Sequence, residues 1–488
     1  MQIVQHLGNE VCQIIFRVCA ARRTETILRK MSDCGRFAHA DGDAVIYYGM
    51  KINEIPDRVH FVGVGGVGQS ALALHLVGTG RKVSGSDRQA SNVTDKLRQN
   101  GVCVHIGHNA ANVGNAQLVV RTSAVGCDNV EVAQATRQGV PVVLREELLG
   151  AIVNDFNIRI AISGTHGKTT TTAWVHYVLQ RCGVDHAAFI GGMYDGSNYF
   201  CGRNVVVCEA CEYNKSFMNL RPTIAVCLNA EFDHPDCYRD KQAAMDGFAD
   251  FVALAGGGVA VLPVSLASFA VGQAVLFGSG GDVSAENVVV RCGKPSFDLV
   301  VRGKKVARVK LRIPGVHNVD NALAVAAVAL ALDLPMLQVA AALCTFCGVE
   351  RRWTERDGIC RVVTDYAHHP TEIAAAVSTA KSMAKHTVCV FQPHTFSRTK
   401  AFMVQFAECF SGVSVVYLPV FAARESPVDG VDSVALCRIA RSLGIDAYYA
   451  ADFAEAAATA TKLVTSRRDI LLLLGAGNVC DMAEMFCK

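Results

Sequence analysis

The sequence predicts an α/β protein made of three consecutive domains. Its length of 488 residues exceeds what a single hydrophobic core usually supports. With 51% hydrophobic and 19% charged residues, it has the composition of a well-packed folded protein. Twice along the chain, an apolar run leads into a glycine-rich turn and then into a helical pattern. That order of elements is typical of doubly wound parallel sheets.

Composition also narrows the classes of partner and the cellular location. The net charge of +3 is too balanced to indicate nucleic acid or an acidic membrane surface as a partner. The 20 cysteines are scattered without a disulfide framework, as in reduced cytoplasmic proteins. Two CxxC pairs, Cys208/Cys211 and Cys344/Cys347, would suit zinc or redox chemistry, but neither has a second pair beside it. We therefore interpret both pairs as packing residues.

One stretch without charged residues, 251–281, resembles a membrane span at first sight. Glycines at 256–258 and Pro263 interrupt it, so we predict a strand at 259–262, a short helix and a strand at 274–277. Arginines beside the apolar patch near the N-terminus argue against a secretory signal. The protein is expected to be cytoplasmic, without membrane insertion.

The first domain is predicted at 55–156, after an extension (1–54) that carries no clear motif. A first strand leads into the turn GVGGVG, and Asp87 ends the second strand. The turn supplies four candidate ligand-binding glycines, Gly63, Gly65, Gly66 and Gly68. Their GxGxxG spacing predicts a phosphate-bearing ligand, and it leaves NAD and a UDP-sugar as alternatives because both carry a pyrophosphate. The predicted strands are 59–64, 82–87, 102–106, 118–121 and 140–144.

The second domain, 157–348, opens with the most informative motif of the chain, RIAISGTHGKTTTTAW at 159–174. A strand, a glycine turn and a Lys-Thr helix start form a cradle for nucleotide phosphates. Lys168 would reach the outer phosphates, and the Thr169 hydroxyl would suit Mg²⁺. The loop is shorter than the Walker A pattern, which would have glycine at Ile162. We predict ATP as the ligand, contacted by Gly164, Thr165, Gly167, Lys168, Thr169 and Thr170.

Further elements complete the second and third domains. In the second we predict strands at 205–208 and 224–228, a hairpin at 297–313 turning at 302–305, and a helix at 321–332. The third domain, 349–488, has predicted strands at 360–364, 387–391, 414–418 and 470–474. Three such domains in succession favour a substrate cleft between domains.

Polar residues follow several of these strands. Glu209 follows one predicted strand and His234 follows another, at strand ends where a carboxylate and an imidazole could hold a divalent metal near the phosphates. Each taken alone would equally suit a surface carboxylate or a structural histidine. Asn318 and Asn321 lie one helical turn apart and could pair with an adenine edge, although asparagine is also a common helix cap.

The third domain carries a dense set of His, Asp and Arg residues at its strand ends. Asp365 and His368 stand in DYAHHPTEI, and His394 and Arg398 stand in QPHTFSRT. Clustering such polar and charged side chains costs folding free energy unless they serve a function. A functional site is therefore the favoured interpretation.

The order of these motifs resembles the Mur ligase family from about residue 58 to the C-terminus. The motifs that carry the resemblance are GVGGVG, SGTHGKTTTT, EACEY, NAEFDHPD, PGVHNVDNAL, GVERRW, DYAHHPTEI, QPHTFSRT and LGAGNV. The resemblance implies a Rossmann-like N-terminal domain, a central P-loop ATPase-like domain and a Rossmann-like C-terminal domain. It also implies an ATP-dependent amide ligase of bacterial peptidoglycan synthesis that acts on UDP-N-acetylmuramate and L-alanine. We expect the protein to be a monomer or weak homodimer.

The resemblance also implies roles for single residues. The glycine turn at 63–68 would hold the UDP-sugar, Lys168 the phosphates, and Thr169 a Mg²⁺ ion. Glu209 and His234 would be ligands of a second metal ion near the reacting carboxylate. Nucleotide contacts would come from His317, Asn318, Asn321, Arg352 and Asp365, and substrate contacts from His368, His394 and Arg398.

Three alternatives stay open on sequence alone. Within the family, a murein-recycling ligase adds a whole peptide to the same UDP-sugar. An NAD-dependent oxidoreductase could use the first glycine turn, but it leaves the loop at 164–170 unexplained. An ATP-driven switch protein could bind a partner through its third domain.

Overall fold

The computed structural model describes residues 50–423 and 425–487, so the predicted N-terminal extension lies almost wholly outside the described residues. The described chain forms three sheets, one in each predicted domain. The prediction of a three-domain α/β fold is confirmed.

The first sheet has five parallel strands in the order β3-β2-β1-β4-β5. The reversal of strand order between β2 and β4, on either side of β1, places the glycine turn after β1 at the switch point of the sheet. Its elements are β1 (Arg58–Val62), α1 (Val67–Gly78), β2 (Lys82–Asp87), α2 (Asn92–Gln99), β3 (Cys103–Ile106), β4 (Leu118–Arg121), α3 (Val130–Arg137), β5 (Val142–Leu144) and α4 (Arg145–Val153).

The second sheet has ten strands in the order β15-β14-β13-β12-β11-β10-β6-β9-β7-β8. Its centre is parallel, whereas β7–β8 and β13–β14–β15 pair antiparallel. The elements are β6 (Ile158–Ser163), α5 (Lys168–Arg181), β7 (His186–Tyr194), β8 (Ser197–Phe200), β9 (Val205–Glu209), β10 (Ile224–Cys227), α6 (Lys241–Ala253), β11 (Val259–Pro263), β12 (Gln273–Phe277), β13 (Val283–Arg291), β14 (Lys294–Val301), β15 (Lys304–Lys310), α7 (His317–Ala331) and α8 (Met336–Leu343).

The third sheet has six strands in the order β16-β17-β21-β18-β19-β20, and only β16 is antiparallel to its neighbour. Its elements are β16 (Thr354–Asp357), β17 (Arg361–Asp365), α9 (Pro370–Met383), β18 (Thr387–Phe391), α10 (Phe396–Ala401), α11 (Met403–Glu408), β19 (Ser414–Tyr417), α12 (Ser433–Ser442), β20 (Ala447–Tyr449), α13 (Phe453–Leu463), β21 (Ile470–Leu474) and α14 (Ala483–Phe486).

Helix α5 begins inside the loop at 164–170, called the phosphate loop below, and is anchored in the core of the second domain. Trp174 is fully buried and stacks on Phe346, with ring centroids 4.7 Å apart. Burying such a large aromatic side chain contributes several kcal/mol, on the order of 3–5 when it is truncated to alanine. The loop is thereby fixed between β6 and a firmly packed helix.

Two details differ from the sequence predictions. Helix α7 begins at His317, four residues before the predicted start, so Asn318 and Asn321 both lie inside its first turns. Cys208 is buried, as the packing interpretation requires, but Cys347 is exposed and does not fit it.

The uncharged stretch at 251–281 agrees with its prediction. It contains strands β11 and β12 with a short 3₁₀ helix between them.

Candidate functional site

The phosphate loop adopts a conformation that only glycine readily allows. Gly164 and Gly167 have φ angles of +140° and +84°, in the region that disfavours L side chains. A Cβ atom on Gly167 would also lie 2.6 Å from Asn321 Oδ1. The loop is therefore pressed against the first turns of α7, and its glycines are structurally required.

Lys168, the first residue of α5, is the cation of this loop. Its Nζ atom donates hydrogen bonds to the Gly164 carbonyl at 2.6 Å and to the Thr165 carbonyl at 3.1 Å, and lies 2.8 Å from Glu212 Oε2. Burial disfavours the ammonium, but the neighbouring negative groups, with Glu212 foremost and Glu209 among them, together raise the pKa of Lys168 above its ordinary value. Lys168 is therefore a fully charged group at the mouth of the phosphate loop.

Glu209, at the end of β9, lies beside Thr169 and close to strand β7. Its Oε1 atom accepts the Gly191 backbone N–H at 2.6 Å. Burial raises the pKa of Glu209, and that hydrogen bond, the Lys168 charge and the Thr169 hydroxyl act in the opposite direction. A carboxylate and a hydroxyl thus adjoin at the phosphate loop, which is a pair of hard oxygen donors suited to Mg²⁺.

His234 has a φ angle of +57°, and its ring packs edge-on against Tyr213 at 4.9 Å. Its Nε2 atom lies 3.6 Å from Glu212 Oε1 and 3.7 Å from Asp233 Oδ2. Among the contacts of the described residues, His234 is therefore joined to Glu212, and Glu209 is joined to Thr169 and Gly191. Sequence reasoning assigned no role to Glu212, although it stands in the EACEY motif.

A cavity of about 720 Å³ opens beside the phosphate loop, between the second and third domains. Within it, Asn321 Nδ2 donates to Asn318 Oδ1 at 2.9 Å, and Asn318 Nδ2 donates to the Pro314 carbonyl at 2.7 Å. Among its lining residues are seven of the predicted nucleotide contacts, namely Gly167, Thr170, His317, Asn318, Asn321, Arg352 and Asp365. The fold thus brings together residues that are almost 200 positions apart in the chain.

Arg352 and Asp365 border this cavity from the third domain. The Asp365 carboxylate accepts the backbone N–H groups of Trp353 and Ala367, both at 2.8 Å. The Arg352 guanidinium lies over the Tyr366 ring, 4.9 Å from its centroid. Asp365 therefore holds the backbone of the chain that enters the third domain, and Arg352 is stacked in place.

Arg398 joins the third domain to the second through a buried ion pair. Its Nε and Nη2 atoms donate to the two carboxylate oxygens of Asp233, at 3.0 and 3.1 Å, and both side chains are 5% exposed. Burial opposes the charge on Asp233, but the Arg398 guanidinium together with neighbouring His234 holds the pKa of that carboxyl well below its usual range. Such bidentate pairs are strongly oriented, so Arg398 has a fixed position in the seam between the domains.

A second cavity of about 170 Å³ lies next to this pair. It is lined by the predicted residues His234, His394 and Arg398, together with Tyr213, Ser397 and Glu425 among others. The His394 ring stacks on Phe421 at 5.5 Å and faces the His368 ring at 6.2 Å. The cavity is therefore walled by cationic, imidazole and carboxylate groups from both domains.

His368 itself is held away from the second cavity. Its Nδ1 atom lies 3.0 Å from the Tyr366 carbonyl and 3.3 Å from Glu372 Oε2. Burial lowers the pKa of His368 to about 3, which exceeds the opposing influence of Glu372. His368 is therefore neutral at physiological pH.

Glu372 links the third domain to the phosphate loop. Its Oε1 atom lies 3.2 Å from His166 Nδ1, and the Arg352 guanidinium is 3.8 Å away. Burial disfavours the charge on His166, but Glu231 and Glu372 together raise the pKa of this histidine to about 9. Sequence reasoning assigned no role to Glu372 or Asp233, because nothing in a motif shows which carboxylate will face another domain.

The first glycine turn, at 63–68, is held tightly by its neighbours. Gly63 has a φ angle of +83°, and the Gly65 backbone N–H donates to Asp87 Oδ2 at 2.9 Å. A Cβ atom at Gly65 would lie 2.8 Å from the same oxygen. Asn198, from the β7–β8 hairpin of the second domain, donates to the Val67 carbonyl at 2.6 Å and ties the turn to that domain.

Family models match three successive parts of the chain. A model described as the catalytic domain of the Mur ligase family matches residues 58–157. The Mur ligase middle domain matches 162–329, and the Mur ligase glutamate ligase domain matches 351–477.

Curated relatives resemble the chain over most of its length. A UDP-N-acetylmuramate--L-alanine ligase from Syntrophotalea carbinolica is 39% identical over 449 residues, covering 88% of this chain and 97% of the relative. A ligase of the same name from Clostridium novyi is 38% identical, covering 90% and 100% of the two chains.

Solved structures show the same architecture. The UDP-N-acetylmuramate-alanine ligase MurC from Thermotoga maritima superposes with a TM-score of 0.76 at 29% identity, covering 88% of this chain and 98% of that one. A murein peptide ligase from Psychrobacter arcticus shares the fold, with a TM-score of 0.70 at 22% identity and coverage of 88% and 98%. Across residues 50–423 and 425–487, no helix is both long and apolar enough to cross a membrane.

Proposed function

The chain belongs to the Mur ligase family, and from this premise we propose that it joins L-alanine to the lactyl carboxylate of UDP-N-acetylmuramate, using ATP, in peptidoglycan synthesis. The observation that carries the proposal is that a cavity beside the phosphate loop and a second, smaller cavity both lie at the seam between the second and third domains. The larger cavity adjoins the loop that would bind phosphates, and the smaller one adjoins His234 and Arg398. We further propose that the protein acts in the cytoplasm, as a monomer or weak homodimer.

The reaction proceeds through an acyl phosphate. The lactyl carboxylate attacks the γ-phosphorus of ATP, the bond to the bridging oxygen breaks, and ADP leaves. The amine of L-alanine then attacks the acyl carbon, a proton leaves the nitrogen, and the tetrahedral intermediate expels inorganic phosphate to give the amide. Activation is needed because a free carboxylate is a poor electrophile.

Residues of the phosphate loop stabilise the charge on the transferring phosphoryl group. Backbone N–H groups at the start of α5 face the phosphates, and the Lys168 ammonium moves from Glu212 to the outer phosphate oxygens. Asn318 and Asn321 bind the adenine with His317 in the larger cavity. Arg352 and Asp365 cover the nucleotide from the third domain.

The residues present fit a Mg²⁺ ion. Thr169 and Glu209 are adjacent oxygen donors, and the half-buried Glu209 carboxylate would be stabilised by a cation beside it. His234, with Glu212 at 3.6 Å, would supply a second position near the acyl group. When bound, such ions lower the charge repulsion between the phosphates and the incoming carboxylate.

The smaller cavity favours L-alanine over a peptide as the acceptor. At about 170 Å³ it suits a single small amino acid, and Arg398, held in place by Asp233, lines one of its sides. His394 and Arg398 hold the amino acid, with His368 behind them as a neutral positioning group. The first glycine turn, at Gly63, Gly65, Gly66 and Gly68, holds the UDP-sugar.

The decisive experiment compares acceptors. Purified protein receives ATP, Mg²⁺ and UDP-N-acetylmuramate with either L-alanine or the tripeptide of the recycling reaction, and ADP and the amide product are measured. We expect both products only with L-alanine. Product with the tripeptide alone would assign the recycling activity, and ADP formation that is independent of both substrates would favour the ATP-driven switch.

A further inference from the structure

Three side chains that the proposed reaction does not use converge at the seam between the second and third domains. They are His166 in the phosphate loop, Glu231 after β10 and His369 just before α9. One ligand atom from each lies within 4.8 Å of the other two. The His166 Nε2 atom is 3.4 Å from Glu231 Oε2, and the two imidazole rings are 4.8 Å apart.

Two of these side chains have the outer partners that metal ligands usually have. The Nδ1 atom of His166 lies 3.2 Å from Glu372 Oε1, which is the carboxylate–histidine arrangement that orients a ligating imidazole. The Thr371 hydroxyl donates to Glu231 Oε2 at 2.7 Å and fixes that carboxylate. Both partners belong to helix α9 of the third domain.

His369 provides an independent observation. The side chain is 4% exposed, and its Nε2 atom is buried with no hydrogen-bond partner among the described residues. Its other nitrogen, Nδ1, accepts only a long hydrogen bond of 3.3 Å from the Thr371 backbone N–H. A buried ring nitrogen without a partner is uncommon and calls for a ligand or a proton acceptor.

We propose that His166, Glu231 and His369 form a binding site for Zn²⁺, separate from the Mg²⁺ site at Thr169 and Glu209. Two imidazoles and one carboxylate are a donor set that zinc prefers, and three protein ligands leave a fourth position open. Binding displaces the proton that His166 carries between the two carboxylates, because a coordinating imidazole must be neutral. At His369, coordination through Nε2 places the ring proton on Nδ1 and breaks the long hydrogen bond from Thr371.

Because the ligands come from two domains, a bound zinc ion joins the domains and opposes opening of the cleft. His166 and Glu231 also line the larger cavity, so the ion lies next to the space that the nucleotide would occupy. Zinc is therefore expected to slow turnover even when Mg²⁺ is saturating.

The test uses the full-length protein without nucleotide but with saturating Mg²⁺, which fills the positions proposed at Thr169, Glu209 and His234. This protein is titrated with Co²⁺ as a spectroscopic probe and with Zn²⁺ by calorimetry. We expect one Co²⁺ per chain with visible ligand-field bands and no thiolate charge-transfer band, since the site holds nitrogen and oxygen donors. His369→Gln and Glu231→Gln should abolish this site, and Glu372→Gln should weaken zinc binding by about 10–100-fold.

A matched control is His105→Gln. His105 lies 3.7 Å from the exposed Cys103 on strand β3, so this pair is the kind of surface site that could mislead the titration. Its substitution should leave the cobalt spectrum and the zinc affinity unchanged. A thiolate band, or zinc affinity that is unchanged in both His369→Gln and Glu231→Gln, would overturn the proposal.

Discussion

The Gly191→Ala substitution tests the placement of Glu209 through a residue that no motif identifies. Gly191 lies on β7, outside the positive-φ region, so alanine creates no backbone strain there. Its new Cβ atom would, however, lie 2.4 Å from each carboxylate oxygen of Glu209. Since ordinary contacts begin near 3.4 Å, the carboxylate must retreat by about 1 Å.

A retreat of that size at a reacting centre costs about 10²-fold in rate, or about 2.7 kcal/mol in transition-state free energy. We therefore expect kcat for alanine-dependent ADP release to fall by about two orders of magnitude, while the melting temperature changes little. The Gly65 and Asp87 turn, which lies in another domain, is untouched, so binding of UDP-N-acetylmuramate should persist.

Gly78→Ala is the matched control, because a Cβ atom at that helix terminus meets no atom within 4 Å. Turnover in this variant should equal that of the unsubstituted protein. The reasoning about Glu209 is refuted by a Gly191→Ala protein that keeps most of its turnover.

Three further perturbations follow from the same geometry. Lys168→Ala should lower ADP formation by about 10²–10³-fold with unchanged circular dichroism, since the ammonium stabilises charge and not the core; near-normal turnover would contradict this role. Asp233→Asn leaves the buried Arg398 without its carboxylate partner, which should weaken the domain contact by on the order of 3–5 kcal/mol. Small-angle scattering should then show a more open molecule. An unchanged radius of gyration would count against the ion pair as a domain contact. The pKa of His166 is raised from its ordinary 6.5 to about 9, so its stabilising contribution is complete below pH 6.5 and is lost as the pH rises through about 9. The melting temperature measured across that pH range should decline in the unsubstituted protein but not in His166→Gln. An equal decline in both proteins would show that His166 is not the titrating group.

The sequence by itself determined the parts that depend on local order along the chain. Strand, glycine turn and Lys-Thr helix start are consecutive, so the loop from Gly164 to Thr170 could be located from spacing alone, and ATP could be predicted as its ligand. The same holds for the β14–β15 hairpin, whose turn at Arg302 and Gly303 falls inside the predicted segment. Five strands were not predicted, namely β7, β8, β13, β16 and β20. Strand β7 contains two glycines, and three of the four residues of β16 are charged.

Only the tertiary structure decided which of these groups meet. EACEY shows two glutamates, but the fold joins Glu209 to Thr169 and Gly191, and Glu212 to Lys168 and His234. These pairings arise because the carboxyl ends of parallel strands from distant parts of the chain share one edge of a sheet. Spacing along the chain carries no information about such contacts.

The seam between the second and third domains shows most clearly that sequence spacing does not reveal which residues are in contact. Arg398 and Asp233 are 165 residues apart, and Thr371 and Glu231 are 140 apart, yet each pair is in direct hydrogen-bond contact. The phosphate loop is recognisable as a short sequence pattern, but the cavity beside it forms only where the third domain packs against it. The residue types in the loop follow from local sequence, whereas the residues that contact it follow from the packing of the two domains.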